Sequence, residues 1–235
     1  MAAALPAPAP PATTIAEVIA RMQAIDEALP ATDGVACFNR MYLQVTLGVA
    51  QQVQAAAFAD PHFVAQLDVV FANLYFAAID SLSAPASTMP LAWQPLLEAR
   101  GTAGIEPIQF ALAGMNAHIN HDLPIAVVST CTGLDSAPTA AGRHADYQQI
   151  DALLGAAEQS VRESFESKRL AEADAHVAAV ANLVGNWSIT AARDVAWDTA
   201  LALWEVRHHD TVSALVTGAL ARSVGLASRM LLVAV

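Results

Sequence analysis

Basic residues are scarce in this sequence. Its 235 residues carry 11 Lys+Arg against 22 Asp+Glu, a formal net charge of −11. Nucleic acid is densely negative and is bound by a basic face, so nucleic acid is excluded as a partner. The same balance argues against docking on anionic membranes. Cysteine is nearly absent. Cys37 and Cys131 are too few for a disulfide framework, and both read as apolar buried thiols. The motifs of several enzyme classes are missing too. There is no glycine-rich phosphate loop, no Gly-x-Ser-x-Gly elbow, no Cys-x-x-Cys and no His-Glu-x-x-His. The N-terminus lacks the charged segment and long apolar run of a secretory signal, and a cytoplasmic location is expected. No apolar run long enough to span a bilayer is free of charge: Ile108–Cys131 holds two histidines and an aspartate, and Thr211–Val235 holds Arg222 and Arg229.

What remains is rich in small apolar residues. The hydrophobic fraction is 55% and the charged fraction only 14%. A chain of this length supports one domain with a sizeable core. Closely packed helices, or a homo-oligomer that covers apolar faces, would hide so much apolar surface. Strand signals are weak and no internal repeat is evident. The expected fold is all-α: a single multi-helix bundle over residues 13–235, preceded by a disordered Ala/Pro tail over residues 1–12.

Helix starts and stops are legible along the chain. Thr13 or Thr14 caps a first helix, with Glu17 as the capping-box partner, and Pro30 ends it. Asp33-Gly34 turns the chain into a long helix from Val35 to Phe58, whose polar positions are mostly neutral amides. Asp60-Pro61 starts a third, very apolar helix that runs to Leu82. A proline-bearing loop and a short helix, Leu96–Arg100, follow. The fourth main helix runs from Ile108 to Cys131, with a kink expected at Pro124. The most charged region, Ala145–Ala181, reads as one or two solvated helices. A final pair covers Thr190–Val212 and Ser213–Val233.

Chemistry concentrates in the fourth helix, at Gly114-Met-Asn-Ala-His-Ile-Asn-His-Asp-Leu-Pro124. His118, His121 and Asp122 stand at i, i+3 and i+4 and so share one helix face. These three are the candidate catalytic residues. Unpaired, such groups cost several kcal/mol to bury, so their presence in an apolar helix points to function. Two imidazoles and a carboxylate also make a partial metal site for zinc or iron. Glu205 and His208 form a Glu-x-x-His unit of the kind di-iron bundles use twice. A mixed centre of His118, Asp122, Glu205 and His208 is the expected metal site. His62, in the first turn after Asp60-Pro61, reads as surface decoration. Tyr42, Asp68, Tyr75, Asn116 and Trp187 are the expected pocket lining. Asp68 sits amid Leu67, Val69, Val70 and Phe71 and needs a partner, which Arg40 or Arg193 could supply.

Three stretches together resemble a known family. They are Phe38-Asn-Arg-Met-Tyr42; Asp60-Pro-His-Phe63 with Leu67-Asp68 and Phe71-Ala-Asn-Leu-Tyr75; and Gly114 to Pro124. The family is the all-helical domain of unknown function 5995, and the resemblance covers about residues 15–210. It implies the fold and no activity. His118, Asp122 and Pro124 are also similar to the His-x-x-x-Asp pair of the zinc-dependent phospholipase C and single-strand nuclease group. That group's N-terminal Trp ligand and its His-x-x-x-Glu unit have no counterpart here.

Three functions follow as expectations. The first is a metal-dependent hydrolase, in which the metal acidifies a bound water, acting on a small apolar or ester-type molecule. The second is a metal-free cyclase or isomerase of an apolar metabolite, with His118 and Asp122 as an acid–base dyad. The third is a non-catalytic ligand-binding or scaffold protein whose polar segment is a buried network.

Overall fold

The computed structural model describes residues 4–85, 88–155 and 188–234. Every regular element among the described residues is helical. Residues 4–13 are not helical, and the segment is pinned at its end: the Ala12 N–H donates to Asn73 Oδ1, and Asn73 Nδ2 donates back to the Ala12 carbonyl.

Helix α1 (Ile15–Ala28) is capped by Thr14, whose hydroxyl accepts the Glu17 N–H. The Glu17 carboxylate reaches back to Thr13, taking both its N–H and its hydroxyl. Helix α2 (Gly34–Gln54) starts at Asp33, which accepts the Val35 N–H and pairs with buried Arg100. It ends four residues before the expected Phe58. Helix α3 (Pro61–Asp80) starts where the sequence places it, with Asp60 accepting the Phe63 N–H. A short 3₁₀ turn, Ser81–Ser83, follows it. Helices α4 (Gln94–Ala99), α5 (Pro107–Ala117), α6 (Leu123–Gly133) and α7 (Arg143–Gln149) come next, and residues 151–155 are also helical. Asp146 and Tyr147 are buried rather than solvated, because Asp146 accepts the N–H groups of Ala59 and Asp60 and so braces the start of α3. The rest of the expected charged region lies outside the described residues. Helices α8 (Ile189–Val206) and α9 (Asp210–Leu231) end the chain. Their break falls at residues 207–209, earlier than expected.

The centre of the bundle is the rod formed by α5 and α6. All ten residues from Ile108 to Ala117 are buried. Helices α2 and α9 pack on its first half, and α3 and α8 on its second. The approach of α2 requires glycine at 114: a Cβ there would lie 2.4 Å from Phe38 Cδ2. Between the halves, His118–Asp122 form a single π turn closed by the Leu123 N–H on the His118 carbonyl. This is the form that the expected proline kink takes. Pro124 has no N–H and would clash with the carbonyl four residues back in a regular helix. One wider turn relieves that clash, and π turns of this kind recur at functional sites.

By length and hydropathy alone, Pro61–Ser83 and Asp210–Leu231 reach what a membrane span needs. The first is a core helix. The second exposes Val212, Leu215, Val216, Leu226 and Met230, and carries Arg222 and Arg229.

Candidate active site

The π turn presents its polar groups to one another. Asp122 is buried, and both of its oxygens are engaged. Oδ2 accepts the Trp93 indole N–H at 2.8 Å and faces His118 Nδ1 at 3.0 Å. Oδ1 faces His121 Nδ1 at 2.7 Å. Burial pushes the Asp122 carboxyl upward, but the hydrogen bonds from the two imidazoles outweigh it and hold the group below its ordinary value. Asp122 is therefore a carboxylate, an acceptor only. Both imidazoles must then donate through Nδ1, and in neutral His118 that leaves Nε2 as a lone-pair acceptor. That tautomer follows from the hydrogen-bond network. Burial pulls His118 below the ordinary histidine range, more than its bond to Asp122 raises it. His118 is neutral at pH 7.

His118 stands in an aromatic box. Phe71 stacks on it with centroids 3.5 Å apart and planes 5° apart. Tyr42 meets it edge-on at 4.5 Å and Phe38 at 5.6 Å. Its Nε2 is buried and has no partner among the described protein groups. Two more such atoms, Tyr42 Oη and Asp68 Oδ2, belong to residues lining the same cavity as His118. The Thr46 hydroxyl donates to the Tyr42 carbonyl, and its smaller lowering effect on the phenol is outweighed by burial. The cavity walls come from α2, α3, the central rod, Ile150, Leu154 and Arg193. They are otherwise almost wholly apolar. The cavity volume is about 60 Å³, on a scale where one water needs roughly 10–15 Å³. That is room for a compact molecule.

Asp68 lacks the salt bridge expected of it. Arg40 pairs with Asp26 and Arg193 with Asp151. Burial without a cation raises the Asp68 carboxyl from 3.8 to about 7. Burial, with the charges of Asp68 and Asp122 behind it, pushes the Tyr42 phenol well above its usual range.

The structure brings together His118, His121, Asp122, Tyr42 and Asp68 from the expected set. It separates the others. Glu205 and His208 are exposed at the end of α8, while His118 and Asp122 are buried, so the mixed metal centre is not assembled. Among the described residues no group of three or more His, Cys, Asp or Glu is placed to hold a metal. Asn116 is not at the cavity: its amide donates to the Val224 carbonyl and the Ser228 hydroxyl and so ties the rod to α9. Tyr75 lies behind the site, its hydroxyl donating to Asn39. Trp187 lies outside the described residues. His62 is exposed, as expected, and Cys131 is buried while Cys37 is only half-buried.

Two residues that hold the site escaped the sequence reading. Trp93 supplies the third donor to Asp122, and its only signal was a tryptophan between Pro90 and Pro95. Phe71 stacks on His118, and its signal was the i, i+3 proximity to Asp68 on one face of α3.

Residues 15–234 match a family described as a family of unknown function, DUF5995. No curated protein matches the chain, and no solved structure does.

Proposed function

The chain belongs to the family of unknown function DUF5995, and from its site we propose that it is an enzyme performing general acid–base chemistry on a compact apolar molecule, with His118 Nε2 as the proton acceptor. The observation that carries this reading is the His118 ring itself. It is buried and fixed through Nδ1 by a carboxylate, and its other nitrogen is unpartnered beside an apolar cavity. A base positioned in this way needs no activation at neutral pH, because its neutral form is already the stable one.

Asp122 is the positioning residue. Its carboxylate selects the tautomer and stabilises the imidazolium that forms when Nε2 takes a proton. Trp93 and His121 hold Asp122 in turn. The metal-dependent alternative needs further ligands at the dyad, and the candidates Glu205 and His208 are on the surface. The acid–base reading needs only groups that already meet.

The test is turnover of a panel of compact ketones, lactones, esters and alkenes by chelator-treated protein. Wild type should convert at least one member, and His118→Asn should lower that rate at least about 100-fold, the usual contribution of a positioned base. Turnover that appears only on adding zinc or iron would overturn the reading, as would turnover indifferent to His118→Asn.

A further inference from the structure

Three buried, unpartnered polar atoms belong to residues that line one apolar cavity, and they define what its ligand must offer. His118 Nε2 is an acceptor, because the ring is neutral and Nδ1 donates to Asp122. Tyr42 Oη is a hydroxyl whose burial favours the protonated, donating form. Asp68 is a carboxyl among Leu67, Phe71 and other apolar side chains, with no ion pair among the described residues. A buried carboxyl without a partner is far cheaper to keep neutral than charged. Neutral, it is a second donor. The polar inventory is thus one base and two hydrogen-bond donors.

Other chemistries fit this inventory poorly. Acyl transfer through a protein nucleophile needs a serine, threonine or cysteine at the cavity, and none is among its described lining residues. Phosphoryl groups need unneutralised cations. The one cation among the described lining residues, Arg193, is already bonded to Asp151 and to the Tyr147 carbonyl. A carbonyl group beside an acidic C–H matches without remainder.

We propose that the cavity takes a compact apolar carbonyl compound, Tyr42 and Asp68 holding its oxygen while His118 Nε2 removes a proton from the adjacent carbon. This deepens the acid–base reading and rests on it. In the step, the C–H bond breaks and its electron pair becomes the C=C bond of an enolate. The carbonyl π pair moves onto oxygen, where the two donors stabilise the developing charge. The proton resides on Nε2, and the resulting imidazolium is paired with Asp122. Return of that proton to the same carbon, or to a conjugated one, completes an exchange or an isomerisation with no co-reactant. Donors for a developing oxyanion belong in a site that excludes water, and an apolar wall supplies that condition.

The probes are small ketones in deuterium oxide, acetone first and cyclohexanone as a larger member, for α-hydrogen exchange, and acetate, isosteric with the acetone enolate, whose binding is read by calorimetry. Wild type should accelerate acetone exchange and bind acetate. Tyr42→Phe and Asp68→Leu should each weaken that binding at least about 10-fold, the loss of one buried hydrogen bond. Asp68→Asn should retain it, because a carboxamide donates as a neutral carboxyl does. Circular dichroism melts establish that each variant is folded. Binding unchanged in both Tyr42→Phe and Asp68→Leu would overturn the proposal. So would loss of binding in a folded Asp68→Asn variant. If wild type fails to exchange acetone, cyclohexanone or any other ketone of the panel but turns over a different class through His118, the carbonyl assignment is wrong and the acid–base reading stands. If His118→Asn leaves all turnover intact, that reading falls as well.

Discussion

Replacing Asp68 by asparagine should make the protein more stable as pH rises, relative to wild type. The reason is linkage. In the folded protein the Asp68 carboxyl titrates near 7 rather than at its ordinary 3.8, because burial opposes its charge and no cation answers it. Between those two pH values the folded state holds a proton that the unfolded state has released. Wild-type stability from this group is therefore fully present below about pH 4 and is lost progressively until about pH 7. At about 1.4 kcal/mol per pH unit, the loss across that interval is about 4 kcal/mol. An asparagine of nearly the same shape is neutral throughout and loses nothing. The assay is urea unfolding of both proteins at a series of pH values from about 4 to 8. All other titrations cancel in the difference between the two curves. That difference should grow by several kcal/mol in favour of Asp68→Asn, with most of the change complete by about pH 7. Parallel curves would refute the reasoning and would mean that Asp68 has a partner holding it charged.

Removing Asp122 as alanine should cost about 3–5 kcal/mol of stability, since the buried N–H groups of Trp93 and His118 and the half-buried one of His121 lose their acceptor together; thermal and urea unfolding measure it. Gly114→Ala should destabilise by about 1–3 kcal/mol, because overpacking against Phe38 outweighs the roughly 1 kcal/mol that alanine gains in a helix; unfolding of that single variant decides the sign. Glu205→Ala and His208→Ala should each change stability by less than about 0.5 kcal/mol, as exposed residues do, and should leave turnover of any panel substrate unchanged. The rate of that turnover should be bell-shaped in pH. Its acid limb falls below the ordinary histidine range as His118 gains a proton, and its alkaline limb near 7 follows loss of the Asp68 proton.

The helical starts were the most legible part of the fold, because their chemistry is local. Thr14, Asp33 and Asp60-Pro61 cap the helices that the sequence assigns them. Ends were less legible. Helix α2 stops at Gln54, and the chain then takes a positive φ at Ala56, a residue that carries no stop signal. The His118–Asp122 pair was legible because polar residues cannot hide in an apolar helix without a reason. Its geometry was not, since a π turn depends on where Pro124 sits against the surrounding helices.

Partners across the fold were the hardest to read. Asp68 announced that it was out of place, and an arginine was the natural guess. The two arginines named for it found closer carboxylates at Asp26 and Asp151. The Glu205-x-x-His208 spacing is right for a metal and stands on a solvent-facing turn, where spacing alone means little. Trp93 could not be paired with Asp122 from sequence, because they stand 29 positions apart with α4 and α5 between them.

The central claim is that His118 is a neutral imidazole protonated on Nδ1, with a buried, unpartnered Nε2. Nitrogen-15 NMR of the histidine rings in the full-length protein tests this most directly. The account predicts that the resonances lost in His118→Asn report an Nδ1–H tautomer at neutral pH, and that this form persists to below the ordinary histidine pKa of 6.5. An Nε2–H tautomer, or an imidazolium at neutral pH, would contradict it.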